Sequence, residues 1–393
     1  MKKSALAAVI ATVTLSQGCQ DEQRSRDTGS PPAGSSRLSE LLSPEDVRGY
    51  ARALEPRSFS FPADHGQHPR YRNEWWYVTG NLDGADGERF GFELTIFRFS
   101  LAPVEGQKGA PRSSAWATNQ VYIGHFAVTD VEAEDFYVAE RYARGALGLA
   151  GARAEPLRVW LENWYLQDED ATATGAAGAD WRLYAKDRGV ELSLALHPLK
   201  PAVPNGRDGL SQKSAEPGNA SYYYSVPRLE AEGKLRIAGD MHDVSGLAWL
   251  DREWGSSALS SDQEGWDWFA LQLSDGSDLM FYQLRRTDGR PDPHSAGTWI
   301  LADGSSLHLS HDDVLLQVRD HWDSPRGGRY PMAWSLAIPR LALELHVDPV
   351  LKAQELATEV RYWEGAVDVT GQRAGKAVDG RGYVELTGYA RGE

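Results

Sequence analysis

Cysteine is nearly absent: Cys19 is the single thiol in the 393 residues. No intramolecular disulfide can form, even in an oxidising compartment. Long apolar runs are missing as well. The apolar stretch Ala5 to Leu15 is too short to span a bilayer as a stable helix. Basic charge is scarce, with 41 Lys and Arg against 56 Asp and Glu, a net charge of −15. Residues 1–18 hold Lys2, Lys3 and no acid, so their removal deepens this to −17. Such a balance argues against nucleic acid and anionic lipid surfaces as partners. No G-x-S-x-G elbow and no H-E-x-x-H occurs, which removes two common routes to hydrolysis.

What is present begins with an export signal. Residues 1–18 pair a basic start with a short apolar core and a small residue, Gly18, at its end. Cys19 directly after it resembles a bacterial lipoprotein cleavage site, and Gln20 in place of Asp fits transfer to an outer membrane. We therefore expect lipidation at Cys19, with the protein on the periplasmic face of the outer membrane or on the cell surface. Residues 19–56 read as a flexible tether, rich in Ser, Pro, Gly and charge, with Leu38 to Leu54 compatible with a short helix or two.

After Phe59 the pattern is all-β. EWWYVTGNLDG, ERFGFELTIFRFSL, GHFAVTD and WDWFALQLSDG are aromatic or β-branched runs, punctuated by turns such as Asp83-Gly84 and Asp275-Gly276. An internal repeat divides them. Trp76-Tyr77 opens one set of strands and Trp268-Phe269 another, while Gly246-Leu-Ala-Trp249-Leu-Asp251 matches Gly380-Arg-Gly-Tyr383-Val-Glu385. Two antiparallel β-barrels in tandem follow, over 57–258 and 259–393, the first carrying extra loops. Fourteen Trp and sixteen Tyr suit an aromatic-lined cavity as well as an ordinary core.

The stretch GLAWLDREWGSS concentrates the chemistry. On a strand, Trp249, Asp251 and Glu253 share one face while Ala248, Leu250 and Arg252 share the other. Two readings stand for Asp251. Buried in an apolar barrel, its carboxyl has a raised pKa and can donate a proton near neutrality. Paired with Arg252 or Arg228, it merely holds a strand end. Glu253 carries the same two readings.

These motifs, with FPADHGQHPRYRNEWWYVTG, SYYYSVPRL and YWEGAVDVTG, resemble the lipocalin-like family that includes AttH-type secreted proteins and carotenoid (CrtC-type) hydratases. The resemblance covers nearly all of the chain after residue 57 and implies two lipocalin-like barrels packed together. In the carotenoid hydratase branch a His-X-Trp pair and a Tyr-X-Asp pair are thought to act. The matching positions here are Tyr222-Tyr223-Tyr224 and Trp249-Leu250-Asp251. The acid is retained, with Tyr222, Tyr224 and Trp249 standing where that branch has His, Trp and Tyr.

The expected catalytic set is thus Asp251, Glu253, Tyr222, Tyr224 and Trp249, with His65, Glu74, Trp75, Trp76, His125 and Trp254 lining the ligand site. Asp64-His65-Gly66-Gln67-His68 with Glu74 could ligate a divalent ion, but Gly66 and Pro69 make it a loop, which favours hydrogen bonds that close the barrel mouth. His125 is either a pocket or a satisfied core histidine. Glycoside hydrolysis by Asp251 and Glu253 suffers because both approach a bond from one side, roughly 6–7 Å apart. We expect no metal and no cofactor, and the oligomeric state is not legible. The function that follows is binding of a hydrophobic or amphipathic small molecule, an isoprenoid or other lipid, with acid-catalysed hydratase, lyase or isomerase chemistry at Asp251. A non-catalytic carrier lipoprotein is the alternative and a secreted hydrolase the third.

Overall fold

The computed structural model describes residues 47–104, 114, 116–169, 180–257 and 259–390. The signal, Cys19 and most of the tether lie outside the described residues. Strands β1 (Asn73–Gly84), β2 (Arg89–Ser100), β3 (Gln120–Asp130) and β4 (Asp135–Arg144) form successive hairpins. The meander continues through β5 (Ala150–Ala154), β6 (Leu157–Leu161), β7 (Trp164–Asp168), β8 (Trp181–Asp187) and β9 (Val190–Pro198). Two short strands, β10 (Val203–Pro204) and β11 (Leu210–Gln212), precede the long pair β12 (Ala220–Ile237) and β13 (Asp240–Gly255). These strands make one 13-stranded antiparallel sheet in which β13 returns to lie beside β1.

The second sheet repeats the plan. It opens with β14 (Gln263–Leu273), β15 (Asp278–Arg286), β16 (Ala296–Ile300) and β17 (Ser306–Ser310). There follow β18 (Leu315–Asp323), β19 (Arg329–Ile338), β20 (Leu343–Pro349) and β21 (Glu355–Leu356). The closing pair is β22 (Tyr362–Arg373) and β23 (Lys376–Leu386), and β23 returns beside β14. The chain is all-β, with one nearly closed barrel and one half-barrel in the tandem lipocalin-like arrangement. Part of the greater length of the first repeat is strand: β5 and β6 extend the end of its path.

The register refines the repeat. Asp251 stands opposite Tyr77 and Glu385 opposite Trp268, so the counterpart of Trp268 is Tyr77, one residue on from the Trp76 that the sequence alignment chose. Because side chains alternate, that one residue decides which face is matched.

Three apolar clusters account for most of the core. Val78, Leu94, Leu194, Leu250 and Trp254 belong to the interior of the first sheet, and Phe269, Trp334, Leu345 and Trp363 to that of the second. The third lies between the sheets and contains Tyr77, Tyr223, Trp249, Trp268, Tyr282 and Tyr383. Strand β13 is therefore buried on both faces from Ala248 to Gly255. A strand closing one sheet and roofed by another needs no polar face, which is why its charged residues cannot be read as a solvated end.

A bulge ties the sheets together. The β12–β13 register shifts between Val226 and Leu229, where Pro227 has no N–H to give a ladder. Its carbonyl instead accepts from Gln272 Nε2 at 2.8 Å. Next to it Arg228 reaches Asp278 at 2.6 Å, and Lys200 holds the other oxygen of that carboxylate at 2.6 Å. The expected tether also ends early. From residue 47 the chain is non-helical and lies on the first sheet: Ala53 is fully buried and Tyr50 donates to the Ser100 carbonyl at 2.6 Å. The backbone here bonds outside its own segment, as Ala51 N–H does to Arg70 O of the loop before β1 at 2.9 Å.

A candidate active site between the two sheets

Alternation on β12 and β13 sorts the expected residues into two places. Ser225 stands opposite Asp251 and Tyr223 opposite Glu253, so these side chains share a face with Trp249. That face looks onto the second sheet, not into the first barrel as the sequence suggested. A cavity of about 90 Å³ lies there, lined from the first sheet by Trp75, Tyr77, His125, Tyr223, Asp251 and Glu253. From the second sheet come Trp266, Trp268, Tyr282, Tyr362, Glu364 and Glu385. The volume exceeds the roughly 10–15 Å³ that admits one water, leaving room for a small organic group.

Asp251 is 3 % exposed and has no cationic partner among the described residues. The arginines suspected of pairing with it are engaged elsewhere, Arg228 with Asp278 and Arg252 with Glu74 on the opposite face. Its Oδ1 accepts from Ser225 Oγ at 2.5 Å and from Trp249 Nε1 at 2.6 Å, and Oδ2 accepts from the Tyr223 hydroxyl. Trp268 Nε1 of the second sheet donates to that hydroxyl at 3.0 Å, so the acid is oriented by both sheets. Burial pushes its pKa up to about 7, against the lowering effect of the three donors. Near neutrality the group is thus divided between acid and base forms, the poise that general acid–base work requires.

Other carboxyls stand around it. Burial raises Glu385 to about 8 and Glu93 to about 7, and raises Glu364 well above the carboxylate range. Glu364 accepts from the Tyr77 hydroxyl at 2.6 Å. Asp251 and Glu385, the matched acids of the two repeats, both line the cavity. Glu253 instead is an ion pair with Lys213 at 3.1 Å and accepts from Ser221 Oγ. His125 sits at the cavity wall, its Nδ1 2.5 Å from the Tyr362 hydroxyl and its Nε2 3.1 Å from Glu140. It is both a pocket residue and a satisfied one.

Six expected residues lie elsewhere. Tyr222, Tyr224, Trp76, Trp254, His65 and Glu74 lie on the inner side of the first sheet, away from Asp251. There Glu74 is fully buried between Arg98 and Arg252. Burial alone would raise its pKa, but the two guanidinium groups hold it well below the usual carboxylate range. Arg252 also lies 4.0 Å over the Trp76 ring, and His68 stacks on Trp254 with centroids 3.8 Å apart. Burial pulls His65 down to about 4, so it is neutral, with Nδ1 2.6 Å from the Tyr224 hydroxyl. This network plugs the first barrel. Nor do the serines after Gly255 meet a base: Ser256 donates to the Ala51 carbonyl and Ser257 to Asn219.

Sequence reasoning missed Tyr223, Ser225, Lys213, Trp268, Glu364 and Glu385 as site residues. The alternation rule applied across the β12–β13 pair would have found Tyr223 and Ser225. Of the second sheet, Trp268 and Glu385 stand in the repeat that the sequence shows, but nothing local places them in the same cavity as Asp251.

Fold and site together define a tandem lipocalin-like protein with an acid-bearing aromatic cavity at the junction of its sheets. The chain belongs to the AttH-like family, whose sequence model matches residues 52–389. It is similar to a candidate AttH protein of Nitrosomonas europaea, with 33% identity and a TM-score of 0.75 over 87% of this chain and 100% of that one. Kievitone hydratase of Nectria haematococca shares the fold at 16% identity and a TM-score of 0.61, over 86% of this chain and 98% of that one. No curated protein matches the sequence.

Proposed function

We propose that the protein binds a small, largely apolar alkene between its sheets and adds water to it, with Asp251 as the proton donor. The observation that carries this reading is a carboxyl without a counter-ion, raised to about 7, held by Tyr223, Ser225 and Trp249 at the wall of an aromatic cavity. Protonation breaks the Asp251 O–H bond and forms a C–H bond from the alkene's π pair. The neighbouring carbon becomes cationic. Aromatic faces such as Trp268 and Tyr223 stabilise that charge, as does the new Asp251 carboxylate. Water then forms the C–O bond and returns its proton to Asp251, so no other reactant is needed. Loss of a proton from an adjacent carbon would give an isomerase instead. That a structural neighbour is named a hydratase is compatible with this assignment, although that likeness concerns the fold alone.

The carrier reading keeps the same cavity without the chemistry. Incubation with small isoprenoid alkenes in heavy water separates the two. Deuterium entering the alkene, or a product heavier by one water, supports the enzyme; tight binding with neither leaves a carrier. We further propose export and attachment to a membrane through a lipid on Cys19, as the signal pattern suggests.

A further inference from the structure

Lys213 is the only lysine or arginine among the described residues that line the cavity. It follows β11 and is fixed by its backbone: its N–H donates to Asn219 O at 2.9 Å and its carbonyl accepts from Gln263 Nε2 at 2.8 Å. The side chain is nearly buried, with Nζ 3.0 Å from Ser211 Oγ and 3.1 Å from Glu253 Oε1. The Tyr282 ring centroid lies 4.2 Å from Nζ, and the Tyr282 hydroxyl meets Ser211 Oγ at 2.9 Å. An ammonium has three N–H donors. Two find oxygen here, and the third has no oxygen partner among the described residues. Burial works against the charged form, but Glu253 and Tyr282 outweigh it and raise the lysine pKa. It is therefore a cationic donor.

Charge fixes the kind of ligand. Glu253 already compensates the ammonium, and the raised carboxyls of Asp251, Glu364 and Glu385 contribute little negative charge below their pKa values. A second full anion beside Glu253 would be repelled, whereas a neutral oxygen acceptor completes the ammonium's hydrogen bonds. Asp251 and Glu253 are two residues apart on one strand face, a separation of roughly 6–7 Å. We infer that Lys213 is the polar anchor of the cavity, taking the carbonyl oxygen of an otherwise apolar ligand and holding its alkene toward Asp251, whose strand-face neighbour Glu253, roughly 6–7 Å off, pairs with Nζ. This rests on the proposed function only for what happens at the alkene; the anchor itself is a binding claim.

Sulcatone, a methyl ketone whose trisubstituted alkene lies two methylene groups from the carbonyl, spans that interval. Its affinity is compared by calorimetry with the hydrocarbon that keeps the alkene and lacks the oxygen. Wild-type protein should prefer the ketone at least about ten-fold, because a site built for an oxygen rejects the analogue without it. Lys213→Met alone would strand a buried carboxylate, so Lys213→Met with Glu253→Gln is the informative variant. It should bind both molecules alike, at the hydrocarbon's affinity. Equal binding by the wild type, binding of neither, or a preference that survives in the double variant overturns the anchor. Mass analysis of the bound ketone reports separately on chemistry. Preferred binding without added water would sink the Asp251 reaction and leave Lys213 in place.

Discussion

Asp251→Asn isolates proton transfer from shape. The amide is isosteric, and its oxygen can keep the bonds from Ser225 and Trp249 that now reach Oδ1. Its NH₂ then faces the Tyr223 hydroxyl, which already accepts from Trp268 but has a second lone pair. One neutral hydrogen bond is rearranged, so the stability change should stay near ~1 kcal/mol. The catalytic loss is far larger. A positioned general acid is worth about 10²–10⁴-fold, or roughly 3–5 kcal/mol of barrier. The assay is solvent deuterium incorporation by mass spectrometry, alongside alkene affinity and melting temperature. With the acid at about 7 in the wild type, the rate should be flat on the acidic side and fall roughly tenfold per pH unit above that value. An unchanged rate in Asp251→Asn, or a wild-type rate that climbs through pH 7 to 9, would refute the reasoning.

The other expectations concern stability and location. Asp251, Glu93 and Glu385 have folded pKa values of about 7, 7 and 8, above their unfolded values. Their contribution is full below pH ~4 and is lost as pH rises through 7–8, at most about 4 kcal/mol for a three-unit rise. Between pH 7.5 and 8.5, where His65 is almost wholly neutral folded or unfolded, the urea midpoint should therefore fall, and less steeply in Glu385→Gln; a rising midpoint contradicts the burial argument. Arg252→Met removes one of two guanidinium partners of the buried Glu74. It should cost about 3–5 kcal/mol by urea titration, and a loss below about 1 would mean the network is not what holds the barrel's interior. Cys19→Ala should move the protein from the membrane to the soluble fraction, and wild-type protein lacking acyl mass would falsify the anchor.

By itself the sequence determined the class of fold and the strand that carries the acid. Period-two apolar patterning, Asp-Gly turns and the duplicated aromatic-X-acid motif are local signals, and they persist because each strand must bury at least one face. The same local rule put Asp251 with Trp249 and Glu253. Only the tertiary structure decided which way that face looks. In a strand buried on both sides, composition cannot tell the barrel's interior from the face covered by the second sheet, since both are apolar. So Tyr222 and Tyr224 were chosen where Tyr223 stands, and Trp76 where Tyr77 stands. Glu385, Glu364 and Trp268 lie more than a hundred or only a score of residues from Asp251, yet meet the same cavity. Their company depends on how two sheets pack, a relation between surfaces that no stretch of chain contains. For the same reason the pKa of Asp251 was not in the sequence. Burial beneath the second sheet raises it, and no ion pair offsets that, since Arg228 and Arg252 are drawn to Asp278 and Glu74 and Lys213 pairs with Glu253.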